Sequence, residues 1–148
     1  MAAPRVIILI APYFDEESVV FCLSELRKQG VSVLLMGVTS GLICSERGLM
    51  LRPDTSLLAV DKLVSVRRQA LVISGGETCA TAVLSDPRSH RLMERILQTD
   101  GYVAALSGAD GLVWEAVRPE WLSRFVGQGG METAVFAQRL IQLTATHP

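Results

Sequence analysis

Apolar residues along this chain gather in short, nearly unbroken runs, and amphipathic stretches separate them. Arg5 to Ala11, Val31 to Val38, Ala70 to Ile73 and Tyr102 to Leu106 are such runs. Each is apolar almost throughout rather than at alternate positions, which predicts strands buried on both faces. Glu16 to Gln29 places Val19, Val20, Leu23 and Leu26 on one helical stripe and closes at Gly30, a C-terminal cap. Leu42-Ile43-Cys44 and Leu49-Met50-Leu51 flank Ser45-Glu46-Arg47-Gly48 and read as a hairpin that ends at Arg52-Pro53-Asp54. Leu57 to Val64 fits a short helix or a turn. Helices are predicted around Cys79 to Leu84 and over Pro87 to Thr99, the second with Asp86 as N-cap and Pro87 at its first position. Met131 to Leu143 forms a last helix with Ala134, Phe136, Ala137, Leu140 and Ile141 as its apolar positions. Strands separated by helices imply a parallel sheet covered on both sides. Ligands of such sheets bind outside the carboxyl ends of the strands. Pro12-Tyr13-Phe14, Ser74-Gly75-Gly76 and Ser107-Gly108 all fall there.

Composition narrows the function classes. The chain has 148 residues, a size that suits one domain over residues 1–148. Net charge is -1 and no basic stripe is present, so nucleic acid is not expected as a partner. The hydrophobic fraction is 49% and the mean hydropathy +0.35, which fits fully buried strands and a subunit interface. Val6 to Ala11 is apolar but too short for a signal peptide or a membrane span, and it runs into Pro12 and Asp15-Glu16-Glu17. No membrane association is expected. Cys22, Cys44 and Cys79 are scattered and odd in number, so neither a disulfide framework nor a metal site is indicated. A reducing, cytoplasmic setting follows.

The densest local signal is Tyr102 to Gly111. A strand-like run stops at Ser107, and the small residues Gly108 and Ala109 follow at once. A sharp strand-to-helix turn needs such neighbours, because its backbone is crowded. The pattern therefore predicts Ser107 at the carboxyl end of a strand, in a strained φ/ψ region. Ser107 is a nucleophile in one reading and a small residue fitted to a tight bend in the plainer one. Gly75 and Gly76, with Glu77 after them, offer backbone N–H groups to an oxyanion in one reading. In the other they form a turn that requires glycine. Asp15, Glu16 and Glu17 are acid–base candidates or residues that favour the positive end of a helix.

These stretches together resemble the ThiJ/PfpI superfamily, which is related to class I glutamine amidotransferase domains. Residues 5–38 resemble its opening strand, helix and strand, and residues 41–57 its hairpin and proline-aspartate turn. Residues 70–77 resemble its strand ending in a glycine pair, and residues 104–114 its nucleophile elbow. Residues 127–143 resemble the closing glycine turn and helix more loosely. The resemblance implies an α/β fold, a flavodoxin-like three-layer sandwich with a mainly parallel central sheet, and homodimers. It also puts Ser107 where the family has a reactive cysteine and Ser18 where it has a glutamate. The family supplies a histidine soon after the elbow. Here about two dozen residues separate Ser107 from Gly130, and none is a histidine. His90 lies on a helix not expected to face the elbow, and His147 lies in the tail.

A thiol is partly ionised near neutrality, whereas a serine hydroxyl needs an adjacent base. The expected function is therefore a non-catalytic domain acting in small-ligand binding or protein interaction, with Ser107, Ser18, Gly75, Gly76, Glu77 and Gly108 as its site. A serine-based hydrolase or amidotransferase-like enzyme using Ser107 is the alternative. An anion- or nucleotide-binding flavodoxin-like protein is a weaker one. No cofactor is expected. A homodimer and a small-molecule ligand are the expected partners, and Trp114, Trp121 and Phe125 lie in the contact or fold over the sheet edge.

Overall fold

The computed structural model describes residues 3–63 and 66–145, so His147 and the last residue of the ambiguous 57–64 stretch lie outside the described residues. Among the described residues eight strands and five α-helices follow one another. In chain order they are β1 (Val6–Ile10), α1 (Glu16–Lys28), β2 (Val33–Gly37), β3 (Ile43–Cys44), β4 (Met50–Leu51), β5 (Thr55–Ser56), β6 (Ala70–Ile73), α2 (Glu77–Leu84), α3 (Pro87–Gln98), β7 (Tyr102–Ala105), α4 (Asp110–Ala116), β8 (Phe125–Gly127) and α5 (Thr133–Thr144). Short 3-10 turns run over Leu57–Lys62 and Pro119–Arg124.

Six strands form one parallel sheet in the order β5-β2-β1-β6-β7-β8, and β3 and β4 make a separate antiparallel hairpin. The centre pairs Val6–Ile10 with Val33–Gly37 on one side and Val6–Leu9 with Ala70–Ile73 on the other. Successive side chains of a strand point to opposite faces. Every residue of β1 and β6 is buried, so both faces of the sheet are covered. The apolar runs exist for this reason, and each fully buried Ile, Leu or Val contributes on the order of 1.5–3 kcal/mol.

The helices fall into two groups. α1 packs against α5, while α2 packs against α3 and α4. Asp86 caps α3 by accepting the Arg88 N–H at 2.9 Å, with Pro87 at the first turn. The carbonyls that end α5 are taken by arginines. Arg5 donates to Ile141 O (2.8 Å) and Thr144 O (3.2 Å), and Arg68 to Ala145 O (3.3 Å). These satisfy orphan acceptors and place cations at the negative end of the helix. Among the described residues no helix is long and apolar enough to cross a membrane.

Two strands are absent from the sequence reading. β5 extends the sheet beside Met36 and Gly37. β8 pairs with Val103, Ala104 and Ala105 and closes the edge beside β7. Phe125 and Trp121 pack partly buried against the core, and the half-exposed Trp114 meets the Phe125 ring edge-on at 5.6 Å between centroids. The aromatic segment thus folds over the sheet edge.

Candidate functional site

From β1 the chain moves outward to β2 and β5, then returns to β6 on the other flank of β1. The loops that leave β1 and β6 therefore diverge, which opens a crevice at the carboxyl ends of the strands. β7 ends beside it. Asp15 N–H donates to Gly75 O at 3.0 Å and ties the two loops together. Gly75 is pressed so close that a Cβ there would lie 2.5 Å from Ser107 O and 3.5 Å from Ser18 Oγ. Gly76 has φ +99°, and its added Cβ would meet Tyr13 O at 3.0 Å. The crevice thus gathers Ser18, Gly75, Gly76, Ser107 and Gly108 in one place. Glu77 opens α2 beside them. With Tyr13, Glu46, Gly76 and Thr78 it lines a cavity of about 340 Å³.

The elbow's positive-φ residue is the glycine that follows Ser107. The left-handed excursion is taken by Gly108, at φ +94°, and Ser107 is not among the positive-φ residues. Glycine adopts that conformation without a Cβ penalty, so the bend is made where it costs least. A left-handed non-glycine residue also lines the crevice: Tyr13, at φ 67° and 60% exposed. Such a conformation in a bulky residue costs about 1–3 kcal/mol.

Ser107 is held by a turn twenty-odd residues further on. Its N–H donates to Gln128 Oε1 at 2.9 Å, and its hydroxyl donates to Gly129 O at 2.5 Å. Gln128 is only 6% exposed. Its amide nitrogen donates to Met131 O (2.9 Å) and to Thr133 Oγ1 (3.0 Å). Asp110, in the first turn of α4, accepts the Gly129 N–H at 3.1 Å and fixes the same turn. Gln128 and Asp110 were not selected from the sequence. For Gln128 the sequence signal is a lone polar residue set among glycines, Gly127-Gln128-Gly129-Gly130; nothing local marks Asp110.

The remaining candidates have local partners. Ser18 Oγ sits 3.1 Å from Asp15 Oδ2 and makes no hydrogen bond to Ser107. Glu16 accepts Ser45 Oγ–H (2.9 Å) and Arg47 N–H (3.1 Å), and Glu17 pairs with Arg47 at 2.7 Å. Glu16 and Glu17 thereby bind the β3–β4 hairpin to the start of α1. His90 Nε2 lies 2.6 Å from Leu84 O, on α3, away from the elbow residues. Among the described residues no basic side chain bonds Ser107, and no group of three metal-ligating side chains is present.

All three cysteines are free thiols. Burial pushes the Cys22 thiol up to about 12. Burial also raises Cys79, against the lowering effect of Ser74 Oγ at 3.1 Å and Ala11 N–H at 3.3 Å. In the unfolded chain these thiols ionise nearer 8.5. The folded state therefore keeps protons that the unfolded state loses. The stability contribution of Cys22 is full below about pH 8.5 and is lost progressively towards pH 12. At pH 8 the native protein is expected to react with one equivalent of a thiol reagent, at half-buried Cys44, and the denatured protein with three. Prompt reaction of two or more native thiols would refute this placement.

The profile of the DJ-1/PfpI family matches residues 4–117. The chain belongs to the DJ-1/PfpI family. Solved structures of the family superimpose on it closely. Drosophila melanogaster DJ-1beta is 18% identical, with a TM-score of 0.76 over 98% of this chain and 92% of that one. Oxidized Toxoplasma gondii DJ-1 is 16% identical, with a TM-score of 0.75 over 95% and 90%. Schizosaccharomyces pombe DJ-1 is 12% identical, with a TM-score of 0.74 over 96% and 92%. At these identities the likeness is one of fold. No curated protein matches the chain in sequence.

Proposed function

We propose that this DJ-1/PfpI chain is a non-catalytic member whose crevice serves small-ligand binding or protein interaction. The observation that carries the reading is the state of Ser107. Both of its donors are given to the Gln128–Gly129 turn, and its hydroxyl proton goes to a carbonyl oxygen instead of a base. A hydroxyl activated for attack passes its proton to a neighbouring base. Ser107 stands where the family resemblance puts a reactive cysteine and Ser18 where it puts a glutamate. Ser18 turns to Asp15. What the crevice retains is a glycine-built cradle beside an exposed tyrosine.

Purified protein is expected to turn over neither methylglyoxal nor peptide substrates above background, and Ser107→Ala is expected to change nothing. Turnover that vanishes in Ser107→Ala would replace this reading with the serine hydrolase.

We also propose that the chain self-associates as a homodimer. Val20 and Phe21 on α1 and Leu49 and Met50 on the hairpin are exposed, and Val20, Phe21 and Leu49 line one shallow groove. Contiguous apolar surface of this kind marks an interaction site. Light scattering at tens of micromolar is expected to give a dimer mass, and Phe21→Glu a monomer. A monomeric parent protein would end the proposal.

A further inference from the structure

A second polar cavity lies at the same carboxyl edge of the sheet but at its far flank, beyond β2 and β5. Its volume is about 350 Å³, and its walls are Ser40, Gly41, Arg52, Asp54, Thr55 and Ser56 together with the Pro53 ring. It shares no residue with the elbow. Its chemistry is unlike that of the first cavity, which presents Glu46 and Glu77. Here the exposed cation is Arg52.

Most arginines of this protein are already committed. Arg5 and Arg68 hold the end of α5, Arg47 pairs with Glu17, Arg67 with Asp100, Arg88 with Asp86, and Arg118 with Glu94. Arg52 makes no hydrogen bond or ion pair among the described residues, and it is exposed on the wall of a concave site. The one carboxylate of the cavity is engaged elsewhere. Asp54 Oδ2 accepts the Leu35 N–H at 2.8 Å and lies 3.6 Å from Arg27. Asp54 thus has both of these partners outside the cavity. Ser56 Oγ accepts the Leu58 N–H at 3.3 Å and so keeps its own proton to donate. Ser40 and Thr55 add hydroxyl donors with no hydrogen-bond partner among the described residues.

A guanidinium offers a planar fork of N–H donors that fits the paired oxygens of a carboxylate or phosphate. Hydroxyl groups facing it complete the shell of such an anion. We infer that this cavity is a binding site for a small oxyanion, a phosphate or carboxylate group carried by a compact polar molecule, with Arg52 as its principal ligand-binding residue. The cavity size falls at the lower end of the range for small-molecule sites, which favours a ligand of a few carbons.

The test is a titration of the full chain, followed by amide proton–nitrogen correlation spectra at constant ionic strength. Inorganic phosphate is the probe in one arm and acetate in the other. Saturable shifts are expected at Gly41, Thr55 and Ser56, with the spectrum of Gly75, Gly76 and Gly108 unchanged. Arg52→Gln is expected to weaken the response about tenfold or more, because a hydrogen bond to a charged group is lost. Arg52→Lys, which keeps the charge but not the fork, should fall between the two. Arg52 has no hydrogen-bond or ion-pair partner among the described residues, so the thermal midpoint of Arg52→Gln should equal that of the parent. A response to phosphate alone identifies a phosphoryl ligand, and a response to both identifies carboxylates as well. Equal shifts in Arg52→Gln, or an equal response to chloride, would overturn the assignment.

Discussion

Phe136→Ala is expected to remove about 3–5 kcal/mol of folding stability. The ring is fully buried in α5, within the same core as the central strands. Truncation loses the transfer free energy of the ring and leaves a cavity that close-packed neighbours fill only in part. A domain has only about 5–15 kcal/mol of stability in total, so the loss is severe. The adjacent Val135→Ala gives the comparison, because Val135 is 52% exposed. Its cost should be within about 0.5 kcal/mol. Urea denaturation of the two variants measures the difference, with an unchanged slope showing that the midpoint shift reports stability. The result bears on more than one helix. The family profile ends at residue 117, and α5 lies beyond it. If α5 completes the core, as its packing on α1 and its arginine-bound carbonyls indicate, Phe136 must behave as a core residue. A loss below 1 kcal/mol would mean that the last helix is only loosely docked.

What was legible in the sequence follows burial. β1 and β6 form uniform apolar runs because water reaches neither of their faces, and β2 and β7, buried over most of their length, read the same way. α3 was legible from its ends, where Asp86 and Pro87 carry specific local roles. β5 and β8 were not. β5 has two residues, Thr55 and Ser56, and is held by its ladder with β2 and not by any pattern of its own. β8 is an edge strand of three half-buried residues that runs straight into Gln128-Gly129-Gly130, and those glycines read as loop.

The site was legible in position but not in its bonding. Glycines at the ends of β6 and β7 identified the crevice, because close backbone approach excludes a Cβ. The partner of Ser107 came from 21 residues away, through a side-chain amide bonded to backbone groups, and no periodicity encodes such a contact. The same holds for Tyr13. Nothing in its neighbours announces a left-handed backbone; the conformation arises where its N–H reaches Cys44 O at 2.9 Å and its carbonyl approaches Gly76. In both cases tertiary contact decided what local propensity left open.

Ser107→Cys is expected to leave methylglyoxal turnover at background even though it restores a thiol at the elbow. A reactive cysteine needs a neighbour that favours the thiolate, such as a cation or the N-terminal end of a helix free of negative charge. The elbow supplies the opposite. The side chain at 107 faces the Gly129 carbonyl, an acceptor that favours a protonated group. Asp110 opens the following helix and is bound to the N–H of the same glycine. A carboxylate this near disfavours a second negative charge. Among the described residues no general base or acid bonds the position, and such a group contributes about 10²–10⁴-fold to the rate. The measurement is best made in a Cys44→Ser background, so that the half-buried thiol does not contribute, while Cys22 and Cys79 stay protected by burial. The rate of alkylation against pH should then have its midpoint at or above the ordinary cysteine value of about 8.5. Adding Ser18→Glu should not lower that pH, because the residue at 18 turns towards Asp15, and a new carboxylate there adds negative charge to the crevice. An alkylation midpoint well below 8.5, together with turnover at least about 100-fold over background, would show that the crevice still activates a nucleophile, and the non-catalytic reading would then fail.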